Sequence, residues 1–176
     1  MTHLRVLTSI VAAAVLSAGM VAGSSGAAYA NEKTEIDVRG DAPPALDVTK
    51  VRFRYDAAGA HARVRVTDLR RRGEFVFVVM NRSHSLRYGL AATGHRDGSR
   101  TRTFYRYRNG AVSERHCRGS RVQWSVKKDV VTLSFPQRCF SKLGRKVAMA
   151  VGSTRHFPNG VTLDDDPVST LRSPAH

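Results

Sequence analysis

Arginine recurs at alternate positions in two parts of this chain. In the first row, four arginines flank Phe104: Arg100, Arg102, Arg106 and Arg108. In the second row, two pairs follow each other along the chain: Arg52, Arg54, Arg63 and Arg65. Alternate residues of a β-strand share a face and stand roughly 6.5–7 Å apart, so each row could meet successive phosphates or carboxylates of a polyanion. The alternative for both rows is a solvated outer sheet face, where arginine also discourages edge pairing.

Two other side-chain groups are candidates for ligand contact. Trp124 is the only tryptophan, and its ring is the candidate for stacking on a sugar. Asp164, Asp165 and Asp166 are a weak candidate for Ca²⁺, which takes several oxygen ligands. Their spacing lacks the alternation of a calcium loop, and the alternatives are a solvated turn before Pro167 or pairing with the basic rows. We therefore assign no metal site and no cofactor.

Catalytic residues are not indicated by any motif. His84, His95 and Asp97 could be imagined in acid–base catalysis beside Ser83 or Ser85. No nucleophile elbow, zinc-protease helix or phosphate-binding glycine loop accompanies them. The two placed carboxylates of a glycosidase are also lacking, since the predicted strands hold almost no acidic side chains. The sequence predicts no catalytic residues, and a hydrolase with a site assembled from loops is kept as an alternative.

The chain has two cysteines, Cys117 and Cys139. In an exported protein such an even pair forms a disulfide, and closing this loop of 22 positions is worth about 3 kcal/mol in the chain-entropy account. A metal site needs more ligands at regular spacing than His116 and Cys117 supply. The sequence therefore predicts a structural disulfide between these two cysteines.

The first thirty residues have the three parts of a secretory signal peptide. Met1 to Arg5 is a positive start, Val6 to Gly23 is apolar, and Ala28-Tyr29-Ala30 is a cleavage motif. We expect cleavage near Ala30 and an extracellular protein with no stable membrane insertion afterwards. An uncleaved membrane anchor is the alternative, but the apolar segment is short and rich in small residues.

After cleavage the protein keeps 28 basic and 14 acidic side chains, a formal charge of +14. The electrostatic field of such a net charge raises the encounter rate with polyanions, including nucleic acid, acidic glycans and cell-wall polymers. A GC-rich coding genome also explains the excess of arginine over lysine, but it does not remove the charge. Nothing in the sequence selects a specific nucleic acid or an oligomeric state.

Hydrophobic patterning predicts strands throughout the exported part. Residues 48–67 alternate apolar and basic side chains, which predicts a hairpin with one apolar and one basic face. The apolar run at 74–81 predicts a central strand covered on both faces, and Asn109-Gly110 predicts a tight hairpin turn. Eight or nine short strands without an amphipathic helix predict an all-β protein, a single antiparallel β-sandwich that is jelly-roll-like.

The predicted organisation has four parts. A signal peptide (1–30) precedes a flexible leader (31–44), which is polar and ends in two prolines. The β-sandwich domain covers residues 45–152. Residues 153–176 are predicted as a loop and C-terminal tail that could pack on the sandwich.

Several local features together resemble a known class of proteins. These are the signal peptide, the opening strand Asp47-Val48-Thr49-Lys50-Val51, the Trp124 strand and the segment Pro136-Gln137-Arg138-Cys139. The combination resembles small secreted actinobacterial proteins of unassigned function, which are similar to DOMON and family-9 carbohydrate-binding β-sandwiches. The likeness covers most of residues 45–152 and implies the sandwich fold. Some such sandwiches bind sugars or haem, but no methionine–histidine pair is placed for haem here.

These observations favour a non-enzymatic secreted β-sandwich that binds an acidic or carbohydrate polymer of a cell surface, such as cell-wall polymer. The charge and the arginine rows favour this function over the hydrolase. A structural cell-envelope protein without a soluble ligand is the third interpretation.

Overall fold

The computed structural model describes residues 31–143, 146–157, 160–163 and 168–172, and the proposed signal peptide lies outside them. The described residues form twelve strands joined by turns and three short 3₁₀ turns. The strands are β1 Asn31–Ile36, β2 Val48–Asp56, β3 Gly59–Val66, β4 Gly73–Asn81, β5 Leu86–Gly94, β6 Arg100–Arg108, β7 Ala111–Arg115, β8 Arg121–Ser125, β9 Val130–Pro136, β10 Lys146–Phe157, β11 Gly160–Leu163 and β12 Val168–Arg172. No helix in this part of the chain is long and apolar enough to cross a membrane.

The strands form two antiparallel sheets that pack face to face, which confirms the predicted β-sandwich. Sheet A has the order β1-β2-β3-β9-β8, and sheet B has the order β11-β10-β4-β5-β6-β7. The long strand β10 pairs with β4 along one edge, and it also pairs with β12 and, at its far end, with β11. Consecutive strands β1–β3 and β4–β7 therefore lie side by side as meanders.

Alternation along each strand builds the core between the sheets. In β2 the side chains of Val51, Phe53 and Tyr55 are buried, and Arg52 and Arg54 between them are exposed. This is the predicted hairpin with one apolar and one basic face, completed by β3. Fully burying an aromatic or large aliphatic side chain contributes about 1.5–3 kcal/mol, so this face stabilises the sandwich.

Aromatic rings fill the centre of the sandwich. The Phe135 ring of sheet A lies 5.3 Å from the ring of Phe77 and 5.1 Å from that of Phe104, both in sheet B. Phe140 packs on Phe135 at 5.2 Å, from the segment that follows β9. These contacts bring the β9 end and β6 together, and the site described below lies beside them.

Some described residues outside the predicted sandwich domain form strands that the sequence did not predict. Residues 31–36, predicted as part of a flexible leader, pair with β2 as strand β1, and an ion pair joins Glu32 to Arg52. Residues 153–157, predicted as the start of a tail, continue β10, and β11 and β12 both pair with it. Strand β1 is short, polar and at the edge of sheet A, so hydrophobic patterning does not reveal it.

Candidate anion-binding site

The first arginine row lies on the inner side of sheet B. Phe104 points into the core, and its neighbours in the row share its face because they stand at alternate positions of β6. Arg106 pairs across the ladder with Tyr88, and Arg102 pairs with Ala92. The four arginines therefore do not form one outer surface, because buried Phe104 divides them into one pair toward each end of the sandwich.

Arg106, one of the pair nearer to β7, lines an open cleft between sheet B and the loops that the disulfide joins. This cationic cleft has a volume of about 450 Å³. It is lined by Tyr88, Phe104, Arg106, Arg115, His116, Arg118, Arg138, Cys139, Ser141 and Lys142. A smaller hollow of about 380 Å³ continues from it past Arg106 to Arg108. None of the residues lining either space is acidic.

The floor of the cationic cleft is aromatic. The Tyr88 and Phe104 rings stack with centroids 6.1 Å apart and planes inclined by 21°. Both side chains are nearly buried, at 6% and 5% exposure. The rings therefore offer little surface for stacking on a sugar.

Arg106 is the most enclosed cation of the cleft. Its side chain is half-buried, and its Nε is fully buried without a hydrogen-bond partner in the described structure. A charged donor removed from water is costly unless an acceptor replaces the water. The cleft adjoins this half-buried side chain, and the planar guanidinium is suited to carboxylate or phosphate.

The disulfide positions the cationic side chains on the wall of the cleft that faces sheet B. Cys117, in the β7–β8 loop, is bonded to Cys139, in the 3₁₀ turn Gln137–Cys139, with Cα atoms 5.7 Å apart. Arg138 Nη2 donates to the carbonyl oxygen of Arg118 at 2.7 Å. A Cβ on Gly119 would lie 3.0 Å from that same Nη2, and Gly119 has a positive φ of 92°. The crosslink predicted from sequence is confirmed, and it holds two basic loops together.

The second arginine row forms a different surface, the basic face of sheet A. Arg52 pairs across the ladder with Arg63, and Lys50 pairs with Arg65. These side chains are exposed on the side of the sheet opposite to the core, around a shallow hollow of about 310 Å³. Glu32 accepts a hydrogen bond from Arg52 at 2.5 Å, and this contact raises the pKa of Arg52.

The basic face is partly neutralised by its own acidic neighbours. Besides the contact between Glu32 and Arg52, Arg54 Nε lies 3.0 Å from an Asp56 oxygen. Exposed ion pairs of this kind are weak and screened by salt. The basic face therefore offers fewer uncompensated charges than the cationic cleft, whose lining contains no carboxylate.

Trp124 does not form a sugar-stacking surface. It is 7% exposed, its ring meets Phe75 edge-on at 5.2 Å, and its Nε1 donates to the carbonyl oxygen of Arg70 at 3.0 Å. The sequence prediction is corrected, because the alternation of β8 turns this ring toward the core. Trp124 instead anchors the loop before β4.

The histidines considered for catalysis lie at opposite ends of sheet B. His84 is in the turn before β5 and His95 follows the end of β5, which places about 30 Å of strand between them. Asp97 accepts hydrogen bonds from the backbone and hydroxyl of Ser99, which lower the pKa of its carboxyl. These groups cannot form one catalytic set.

Metal binding has no support in the described residues, which hold no group of three or more potential His, Cys, Asp or Glu ligands. The weak calcium candidates Asp164, Asp165 and Asp166 lie outside the described part of the chain.

Sequence reasoning missed most of the cationic cleft. The missed residues are Arg115, His116, Arg118, Arg138 and Lys142. A signal for them was present, because basic residues flank both predicted disulfide partners. A crosslink between two basic loops necessarily concentrates their positive charge.

Comparison of the chain with protein-family models, with curated proteins and with solved structures found no match.

Proposed function

We propose that this protein is a secreted, non-enzymatic binding protein whose cationic cleft holds the acidic groups of an extracellular polymer. The observation that carries the proposal is the charge of the cleft: five arginine and lysine side chains and one histidine line it, without a carboxylate. Like charges gathered in one cleft repel each other, and a bound polyanion relieves that repulsion.

The cleft is suited to carboxylate or phosphate groups more than to neutral sugars. Its arginines can each make two parallel hydrogen bonds to such a group. Neutral sugars bind proteins largely by stacking on exposed aromatic rings, and Tyr88 and Phe104 expose little of theirs. A cell-wall polymer that carries phosphate or carboxylate groups along a carbohydrate chain has the required chemistry.

The extracellular location rests on two features. The disulfide between Cys117 and Cys139 is of the kind that persists in oxidising compartments. The sequence of the first thirty residues has the parts of a signal peptide. Cleavage after Ala30 leaves Asn31, the first residue of β1, as the new amino terminus.

The experiment measures retention of the mature protein on the cell-wall fraction of its producer, and on immobilised heparin, from low to high salt. Three variants each remove three positive charges by substitution with glutamine. The cleft variant changes Arg106, Arg115 and Arg118, and the sheet variant changes Lys50, Arg63 and Arg65. The control variant changes Arg39, Lys127 and Lys128, which are exposed and lie near the opposite end of the sandwich from the cleft.

We expect the cleft variant to lose at least tenfold more affinity than the control variant, and retention by the unmodified protein to fall steeply with salt. A larger loss of affinity in the sheet variant would show that the basic face, and not the cleft, binds the polymer. Equal losses in all three would show that net charge alone causes binding, and salt-insensitive retention would indicate a neutral sugar site.

A further inference from the structure

A second pocket lies at the end of the sandwich away from the cationic cleft. This polar pocket has a volume of about 330 Å³. It is lined by Arg72, Gly73, Glu74, Thr93, Gly94, His95, Arg96 and Thr154. Along β5, Tyr88 of the cationic cleft and Thr93 of the polar pocket are five residues apart, about 17 Å, so the polar pocket is a separate place for a ligand.

The polar pocket contains charges of both signs that do not neutralise each other. One oxygen of the half-buried Glu74 accepts a hydrogen bond from Thr93 Oγ1 at 2.7 Å. Among the described residues no cation lies within ion-pair distance of Glu74, although Arg72 and Arg96 line the same pocket. Glu74 therefore retains the capacity to accept hydrogen bonds from a ligand.

Thr154 gives an independent sign of a missing ligand. It is 5% exposed, and its Oγ1 is buried without a hydrogen-bond partner in the described structure. It stands directly across the ladder from Glu74, on the same face of sheet B. Buried hydroxyls in folded proteins are nearly always paired, so a polar group bound between Thr154 and Glu74 completes this site.

The wall that carries Arg72 is fixed by packing. Trp124 Nε1 donates a hydrogen bond to the carbonyl oxygen of Arg70. The backbone of Arg71 passes close to Gly94, and a Cβ added to Gly94 would lie 2.1 Å from the carbonyl oxygen of Arg71. Gly94 is therefore required by the close approach of this loop to the end of β5. The cationic and acidic sides of the pocket are built on a rigid frame, which favours a defined ligand geometry.

We propose that the polar pocket binds a small zwitterion that carries an ammonium and a carboxylate group on one carbon, as an α-amino acid does. The ammonium group donates to the free oxygen of Glu74, and rotation of the Thr154 side chain brings its enclosed Oγ1 within reach of the same group. The carboxylate faces Arg72 and Arg96. A pocket of about 330 Å³ accepts a single small ligand, so this site is distinct from the polymer-binding cleft.

The test uses the mature protein with its disulfide intact, and it compares alanine with two analogues that each carry one of its charges, propionate and ethylammonium. Binding is measured by calorimetry and by the rise in melting temperature at constant ionic strength. We expect alanine to bind at least tenfold more tightly than either analogue. Absence of alanine binding, or equal affinity for propionate, overturns the proposal.

Two variants locate the binding. Glu74→Gln removes the negative charge that pairs with the ammonium group, and we expect it to weaken alanine binding at least tenfold while propionate binding is retained. Thr154→Val keeps the side-chain shape, raises the melting temperature of the free protein and weakens alanine. Thr103→Val, on the same face of sheet B but outside the pocket, is the matched control.

A third variant keeps the test decisive if Glu74→Gln does not fold. Arg96 is exposed, and Arg96→Gln is expected to weaken alanine and propionate together. Alanine binding that none of the three pocket variants weakens overturns the assignment to this pocket.

Discussion

At Arg106, the proposed binding role opposes the stability of the fold. Its Nε is buried beside the stacked rings of Tyr88 and Phe104, and it has no acceptor among the described residues. Four other arginine and lysine side chains line the same cleft, and they add unfavourable charge around it. Folding alone gives no reason for a guanidinium at this position, whereas an anionic ligand does.

Replacing Arg106 with methionine separates its effect on the stability of the fold from its effect on polyanion binding. Methionine fills similar space without a charge, so we expect the free energy of unfolding to be retained or to rise by about 1 kcal/mol. Polyanion affinity should fall in the same variant. Urea denaturation measures the first effect and retention on heparin measures the second. A marked loss of stability would show that Arg106 supports the fold through contacts that outweigh its buried charge.

His61 introduces a pH dependence on the basic face of sheet A. It lies across the ladder from Arg54 of β2 and Ser134 of β9, and its Nε2 is 3.6 Å from Asp56 Oδ1. Burial, which is the largest cause, and the charge of Arg54 lower the pKa of His61, while Asp56 opposes them. The folded protein therefore favours the neutral imidazole.

This lowered pKa predicts the sign of a stability change. Below pH about 6.5 the unfolded chain binds a proton at His61 that the folded protein resists, so the free energy of unfolding falls as the pH is lowered through this range. Denaturation between pH 8 and 5 should show this slope, and His61→Gln should reduce it. His84→Gln, at an exposed turn, is the matched control for loss of a histidine, and an equal reduction in both variants would contradict the assignment to His61.

At the scale of elements, alternation predicted much of the sandwich because burial on one face is a local property of a strand. The apolar run in β4 shows where this reasoning fails. Phe75, Phe77 and Val79 are fully buried, but Val76 and Val78 on the other face are only half-buried. Sheet A covers one face of β4, and the sequence predicted cover on both. An apolar run does not reveal whether a second layer exists.

The candidate site was harder to predict than the fold for a related reason. Alternation showed that the arginines of β6 share a face with Phe104, but it could not show which face the other sheet covers. Phe104 itself was the clue, since a large apolar residue in the row favours the inner side. The opposite wall of the cationic cleft comes from loops, whose positions depend on the pairing of Cys117 with Cys139.

The disulfide links stability to the geometry of the cationic cleft. We expect the double variant Cys117→Ser, Cys139→Ser to lose about 3 kcal/mol of unfolding free energy, because its unfolded chain is no longer constrained. Polyanion affinity should also fall below that of the unmodified protein under conditions where both remain folded, since the loops of Arg118 and Arg138 are released from each other. Unchanged affinity would show that the loops keep their positions without the crosslink.

The charges of the whole molecule are distributed unevenly. The cationic cleft and the polar pocket lie at opposite ends of the sandwich, and the basic face covers the outside of sheet A. A polymer can therefore approach the cleft while the polar pocket remains accessible to a small ligand. Charged surfaces on separate sides also allow one molecule to meet more than one polymer segment, which increases overall affinity without a new contact.

The proposed export and oxidation predict changes in the mass of the whole molecule that can be measured directly. We expect the protein released from its producing cells to begin at Asn31 and to weigh two hydrogens less than residues 31–176 in reduced form, because the signal peptide is removed and one disulfide forms. Intact mass spectrometry before and after reduction tests both parts. Replacing Ala28 and Ala30 with leucine removes the small residues that signal peptidase requires, so the precursor should then remain with the membrane. A released protein that still begins at Met1 would contradict cleavage, and free thiols would contradict oxidation outside the cell.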